Sequence, residues 1–162
     1  MKSHTISVLV ENRAGVLSRV AGMFSRRGFN IESLAVGTCE EPDMSRITIV
    51  VNGNDSVVEQ VMKQTNKLID VIKVSDLTER ESVERELALI KVAAEPGSSR
   101  AEILQIADIF RAQVVDVGSK SLVLQVAGDT EKIDALEKLL RQYGIKELVR
   151  TGKIAILRGA KT

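Results

Sequence analysis

A chain of 162 residues with 44% hydrophobic but only 2% aromatic residues has apolar material for one ordinary domain or two small ones, with a core of Val, Ile, Leu and Ala. Lys and Arg number 23 and Asp and Glu 22, a net charge of +1 that excludes nucleic acid or an anionic membrane held by bulk charge. The single cysteine, Cys39, cannot close an internal disulfide, and no apolar run reaches the roughly 20 residues of a membrane span, so a cytoplasmic setting is expected.

The N-terminal stretch alternates and lacks a small-residue cleavage site, which argues against a signal peptide. In HTISVLV, His4 to Val10, the residues Ile6, Val8 and Val10 share one face and Thr5, Ser7 and Leu9 the other, the pattern of a strand. A turn, ENRAG, follows. From Gly15 to Arg27, Val16, Leu17, Val20, Ala21 and Phe24 recur at helical spacing, with Arg26 and Arg27 in the last turn and Gly28 as a left-handed cap. A second strand is expected from Phe29 to Thr38, a loop around Pro42, and a third strand in SRITIVV. Ser56 and Glu59 are spaced as a capping box for a second helix, whose buried side would be Val57, Val58, Val61, Met62 and Leu68. A fourth strand is expected over 69–77.

The order then repeats. A strand is expected over 84–94 and a helix over 99–111, opened by Ser99 and Glu102 as a second capping box. A hairpin at 114–117 and 121–126 leads to a helix over 129–142 that Gly144 ends, then to short strands at 145–150 and 154–158. The charged stretch TERESVER, Thr78 to Arg85, reads as a linker and divides the chain into domains 1–78 and 79–162. The fold class is α+β, with two ferredoxin-like βαββαβ modules in tandem.

Catalytic equipment is missing from this pattern. The one histidine, His4, has no ligand partner near it in sequence and is expected at the surface or a strand edge, so no metal site is expected. Cys39 is followed by Glu40 and Glu41, whose charge opposes a thiolate, and an incidental role is expected for it. No GxGxxG, GxxxxGK[ST] or GxSxG is present, so no cofactor is expected on this chain. An RNA-binding module of this topology stacks bases on aromatic rings of its central strands, and HTISVLV and SRITIVV have none.

The turn Glu11–Val16 has two readings. Asn12 is a favoured helix cap and Gly15 can ease a tight turn. Alternatively, the free N–H groups of the helix start, with the positive end of its dipole, bind a carboxylate, and Gly15 lets the ligand approach. Asn30, just after the Gly28 cap, is likewise either a residue leaving a helix or a polar contact.

The stretch ISVLVENRAGVLSRVAGMFSRRGFNIESL, Ile6 to Leu34, resembles an ACT domain, a βαββαβ module that binds amino acids. More closely, it resembles the regulatory small subunit of acetohydroxyacid synthase (acetolactate synthase), and the likeness continues through SRITIVV, KLIDVIKVSDLT, VERELALIKV, FRAQVVDV and RTGKIAILRG. The resemblance implies a non-catalytic subunit that activates a separate large subunit and confers feedback inhibition by valine in branched-chain amino acid synthesis. The thiamine diphosphate, divalent metal and FAD would belong to that catalytic partner. The resemblance also implies a homodimer with effector sites between two N-terminal ACT modules. Carried over by position, Asn12, Ala14, Gly15, Val16 and Leu17 would come from one chain, and Asn30 and Ile31 from the other. The effector's carboxylate would meet the helix N–H groups, its ammonium Asn12, Asn30 or backbone carbonyls, and its branched side chain Val16, Leu17 or Ile31. The second module lacks the Asn-x-x-Gly turn and is expected to bind no amino acid. A free-standing amino acid sensor and a small ferredoxin-like hydrolase are the alternatives, the latter lacking any visible reactive group.

Overall fold

The computed structural model describes residues 2–160, which form two compact units: 2–83 with 154–160, and 84–153. The first unit holds β1 (Lys2–Glu11), α1 (Val16–Arg26), β2 (Ile31–Thr38), β3 (Met44–Gly53), α2 (Asp55–Thr65) and β4 (Val71–Asp76). Its strands run antiparallel in the order β2-β3-β1-β4. Alternation decides which face is the core. Ile6, Val8 and Val10 of β1 and Ile47, Ile49 and Val51 of β3 point to the helices, where Val16, Val20 and Phe24 of α1 and Val58 and Val61 of α2 meet them. Phe24 is fully buried and packs edge-on against Phe29, with ring centroids 6.5 Å apart. Burying that ring contributes roughly 1.5–3 kcal/mol.

A glycine protects this pair. A methyl group added at Gly53, the last residue of β3, would overlap the Phe29 ring. Gly53→Ala is therefore expected to cost about 1–3 kcal/mol, as overpacking does, read as a lower urea midpoint at unchanged slope.

The second unit repeats the order with β5 (Ser82–Ala93), α3 (Ser98–Ile109), β6 (Gln113–Val117), β7 (Ser121–Gly128), α4 (Thr130–Leu140) and β8 (Ile145–Arg150), its strands ordered β6-β7-β5-β8. Its core is aliphatic: Ala88, Ile90 and Val92 of β5, Leu122, Leu124 and Val126 of β7, and Ile103, Ile133, Leu136 and Leu140 of the helices. A 3-10 turn, Arg141–Tyr143, precedes Gly144, whose φ of 96° ends the helix as expected.

Three local expectations change. The cap of α2 is Asn54, whose side chain accepts from the Ser56 N–H, so Ser56 and Glu59 do not form a capping box. The cap position of α3 is Gly97 with no side-chain hydrogen bond, so Ser99 and Glu102 do not form one either. The linker is shorter than TERESVER, because the alternating Ser82–Arg85 joins β5. The final strand β9 (Ile154–Leu157) pairs with β5, and just beyond it the Arg158 N–H donates to the Glu81 carbonyl at 3.0 Å. No helix among the described residues is long and apolar enough to cross a membrane.

Candidate functional site

The expected sensor turn leaves the sheet at the end of β1. The Asn12 N–H donates to the Asp43 carbonyl at 2.8 Å, one step past the Glu11–Met44 pair, which fixes where the turn begins. Gly15 is the N-cap of α1, at φ 83° and ψ −9°, a left-handed conformation that favours glycine. Gly15 therefore lies just before the helix, not inside its first turn. No side chain caps α1, so Asn12 is not its cap, and no acidic residue occupies its first turn. The positive end of the helix dipole is thus uncompensated by the chain's own side chains. Ala14, Gly15 and Leu17 are exposed, whereas Val16 is buried in the core.

A cation lies beside this helix start. Arg19, one turn after Gly15 on the same face, donates from Nη2 to Asp70 Oδ2 at 2.5 Å. Its Nη1 would stand 3.1 Å from a Cβ added at Gly15. The Asp70 carbonyl in turn accepts from the Glu11 N–H at 2.9 Å, which ties the β4 approach to the turn. Sequence reasoning passed over Arg19, although the i, i+4 spacing from Gly15 was there to be read.

Asn30 and Ile31 lie elsewhere. Ile31 pairs with Val51, which pairs with His4, at the opposite end of the sheet. Eight residue steps along β1 separate that row from Asn12, roughly 25 Å at a strand's rise of about 3.3 Å per residue. The fold thus brings Asn12, Ala14, Gly15, Val16 and Leu17 together, and Asn30 and Ile31 together, but does not bring the two groups to each other within one chain. Asn30 is exposed and Ile31 half-buried. Ile31 opens β2, a sheet edge hydrogen-bonded only to β3, and Asn30 precedes it.

The corresponding turn of the second unit is filled by the chain itself. Arg100, in the first turn of α3, donates from Nη2 to the carbonyls of Gly118 at 2.7 Å, Ala94 at 2.8 Å and Ser119 at 3.2 Å. One guanidinium laces two backbone segments, at Ala94 and at Gly118–Ser119, to the helix start where the first unit has an open turn.

Comparison with known proteins decides the family. Residues 6–73 match the profile of the AHAS small subunit-like ACT domain, and residues 85–159 that of the small subunit of acetolactate synthase. A probable acetolactate synthase small subunit of Archaeoglobus fulgidus is 63% identical over 98% of both chains. The chain belongs to the acetolactate synthase small-subunit family. The acetolactate synthase small subunit of Mycolicibacterium smegmatis is 52% identical across 98% of this chain and 93% of its own. The crystal structure of the small subunit from Thermotoga maritima, 40% identical, superposes with a TM-score of 0.89 over 99% of this chain and 100% of that one. That agreement extends the family fold, two βαββαβ units with an ACT domain first, to the whole chain.

The lone histidine departs from expectation. His4 is not at the surface but 3% exposed. Its Nε2 stands 3.1 Å from Asp55 Oδ1, at the start of α2, and its Nδ1 3.6 Å from Asp76 Oδ2, at the end of β4.

Proposed function

We propose that this chain is the non-catalytic regulatory subunit of acetohydroxyacid synthase. It activates a thiamine-diphosphate-dependent large subunit, which carries the cofactors, and transmits feedback inhibition by valine. The observation that carries this reading is the uncapped start of α1, with left-handed Gly15 and Arg19 beside it, in a chain of this family. A valine carboxylate suits the N–H groups of the helix start that no side chain caps and the Arg19 guanidinium, its ammonium suits oxygens of Asn12 and Asn30, and its isopropyl group suits Leu17 and Ile31.

The distance between the two residue groups supports a site built by two chains. Antiparallel pairing of two β2 edges about a two-fold axis sets the start of one strand against the end of the other. The end of β2 lies in the row Thr38–Ser45–Val10, beside the Asn12 turn. A partner's Asn30 and Ile31 would therefore be delivered to this chain's Asn12–Leu17. The β2 sequence IESLAVGT has no proline or lysine to block such pairing. With Arg100 lacing the corresponding turn of the second unit, one effector site per N-terminal unit follows.

Two experiments test this. Adding the pure chain to a candidate large subunit is expected to raise turnover several-fold, and valine is expected to reverse the gain, within the range of about 1–3 kcal/mol typical of allosteric coupling. Subunit mixing then tests the shared site. Asn12→Ala and Asn30→Ala chains are each expected to lose valine binding. After exchange, hybrid dimers join the two intact halves, so about a quarter of all sites recover. No recovery on mixing would place both residues in one chain's site and overturn the two-chain reading.

A further inference from the structure

His4 closes one side of a cavity of about 390 Å³ within the first unit, which Asp55, Glu59, Asp76 and Glu79 also line. Carboxylates outnumber the cations there, Lys2 and Arg80. Lys2 and Glu79 pair with each other, and the contact holds the lysine above its usual range and the carboxylate below its own, so both stay charged. His4 is placed differently. Both its nitrogens are buried, and neither makes a contact with the alignment of a hydrogen bond, although Asp55 Oδ1 lies only 3.1 Å from Nε2. A buried nitrogen without a partner requires an explanation.

The spacing supplies one. Nitrogen and oxygen ligands sit about 2.0–2.2 Å from a divalent transition metal, so two of them at a right angle are about 3 Å apart without pointing at each other. We propose that His4 Nε2, Asp55 and Glu59 form a binding site for a divalent transition-metal cation. Asp55 and Glu59 are four residues apart on α2 and so share one helix face. As the side chains stand, no three such groups among the described residues converge at ligand distance. Glu59 is exposed and paired with Lys63 at 3.0 Å, so the proposed set requires this surface side chain to leave Lys63 and rotate toward Asp55. Behind the ring, Asp76 faces Nδ1 at 3.6 Å. Its other oxygen is fixed by the Thr78 N–H at 2.9 Å and by the Thr78 hydroxyl. A carboxylate behind the imidazole, opposite the coordinating nitrogen, is the usual device for fixing its tautomer and orientation, and Asp76, 3.6 Å away, would become such a positioning residue on closing to hydrogen-bond distance. One imidazole with two carboxylates suits Zn²⁺, Co²⁺ or Mn²⁺ better than Mg²⁺ or Ca²⁺, which take all-oxygen sets. Bound there, the ion would tie β1, the start of α2 and the end of β4 together, at the sheet end remote from the Asn12 turn.

The test uses the full chain stripped of metal, titrated with ZnCl₂ by calorimetry and with CoCl₂ by proton NMR. The chain has one histidine, so its imidazole signals report on this site alone. One equivalent of Zn²⁺ is expected to bind, Co²⁺ to shift the His4 signals strongly, and millimolar Mg²⁺ not to compete. His4→Phe is expected to abolish binding. Should that buried variant fail to fold, Glu59→Ala at the exposed position is expected to weaken binding at least tenfold, and Asp76→Asn by about 10–100-fold, as loss of an orienting partner does. Absence of Zn²⁺ binding, unmoved His4 signals under Co²⁺, or an unchanged affinity in Glu59→Ala would overturn the site.

Discussion

Replacing Gly15 by Asp is expected to abolish valine binding while leaving activation of the large subunit within about twofold of the parent's, since only the effector-linked part of the coupling is removed. Two effects add at this position. The backbone at φ 83° disfavours any residue with a Cβ by about 1–2 kcal/mol. The added side chain also projects toward Arg19 Nη1, which the new Cβ alone would approach to 3.1 Å. An aspartate there sets its own carboxylate among the N–H groups and the guanidinium that would receive the ligand's, and its negative charge repels that ligand. The turn is exposed, so the strain is absorbed locally and the fold survives.

Gly15→Ala separates the two effects, because it strains the turn without adding charge. Calorimetry on the full chain is expected to give about a 5–10-fold loss of valine affinity for Ala, the equivalent of about 1–1.4 kcal/mol, and at least a hundredfold loss for Asp. If the Asp variant bound valine like the parent chain, the carboxylate site would lie elsewhere. Equal losses for the two variants would assign the effect to backbone strain alone.

The elements were legible because periodicity is a local property. Ile6, Val8 and Val10 alternate, Val16, Val20 and Phe24 recur at helical spacing, and the α+β repeat follows from reading such patterns in order. Choices among equivalent neighbours were not legible. Asn54, Asp55 and Ser56 are three capping residues in a row, and only the backbone conformation selects Asn54. Nothing in Ile154–Leu157 states that its partner is β5, since a short apolar segment fits any sheet edge. The turn Asn12–Gly15 is legible from its residue types, but the distance between Asn12 and Asn30 depends on strand register, which no short motif encodes. His4 was misjudged for the same reason. A histidine's surroundings are set by residues far along the chain, here Asp55 and Asp76.

In the second unit, Arg150→Met is expected to be among the most destabilising single changes. Glu86 of β5 has a side chain only 5% exposed, and Arg150 of β8 meets it twice, from Nη2 at 2.5 Å and from Nε at 2.6 Å. The same guanidinium reaches Asp134 of α4 at 2.6 Å, and the Thr130 hydroxyl donates to the second Glu86 oxygen at 3.1 Å. Burial works against the arginine's charge, but hydrogen bonds to Asp134 and Glu86 outweigh it and hold the guanidinium above its ordinary value. Removing the arginine strands a buried carboxylate, a change that typically costs about 3–5 kcal/mol. The pair as a whole is worth far less, because both ions gave up hydration to form it. Arg150→Met with Glu86→Leu is therefore expected to return to within about 1 kcal/mol of the parent. Urea unfolding of the two single variants and the double one closes the cycle, and the coupling energy is the deciding quantity. A single-variant cost below about 1 kcal/mol would show a solvated pair of the surface kind. Valine binding is expected to be unchanged in all three variants, because the substitutions lie in the second unit and the Asn12 turn in the first.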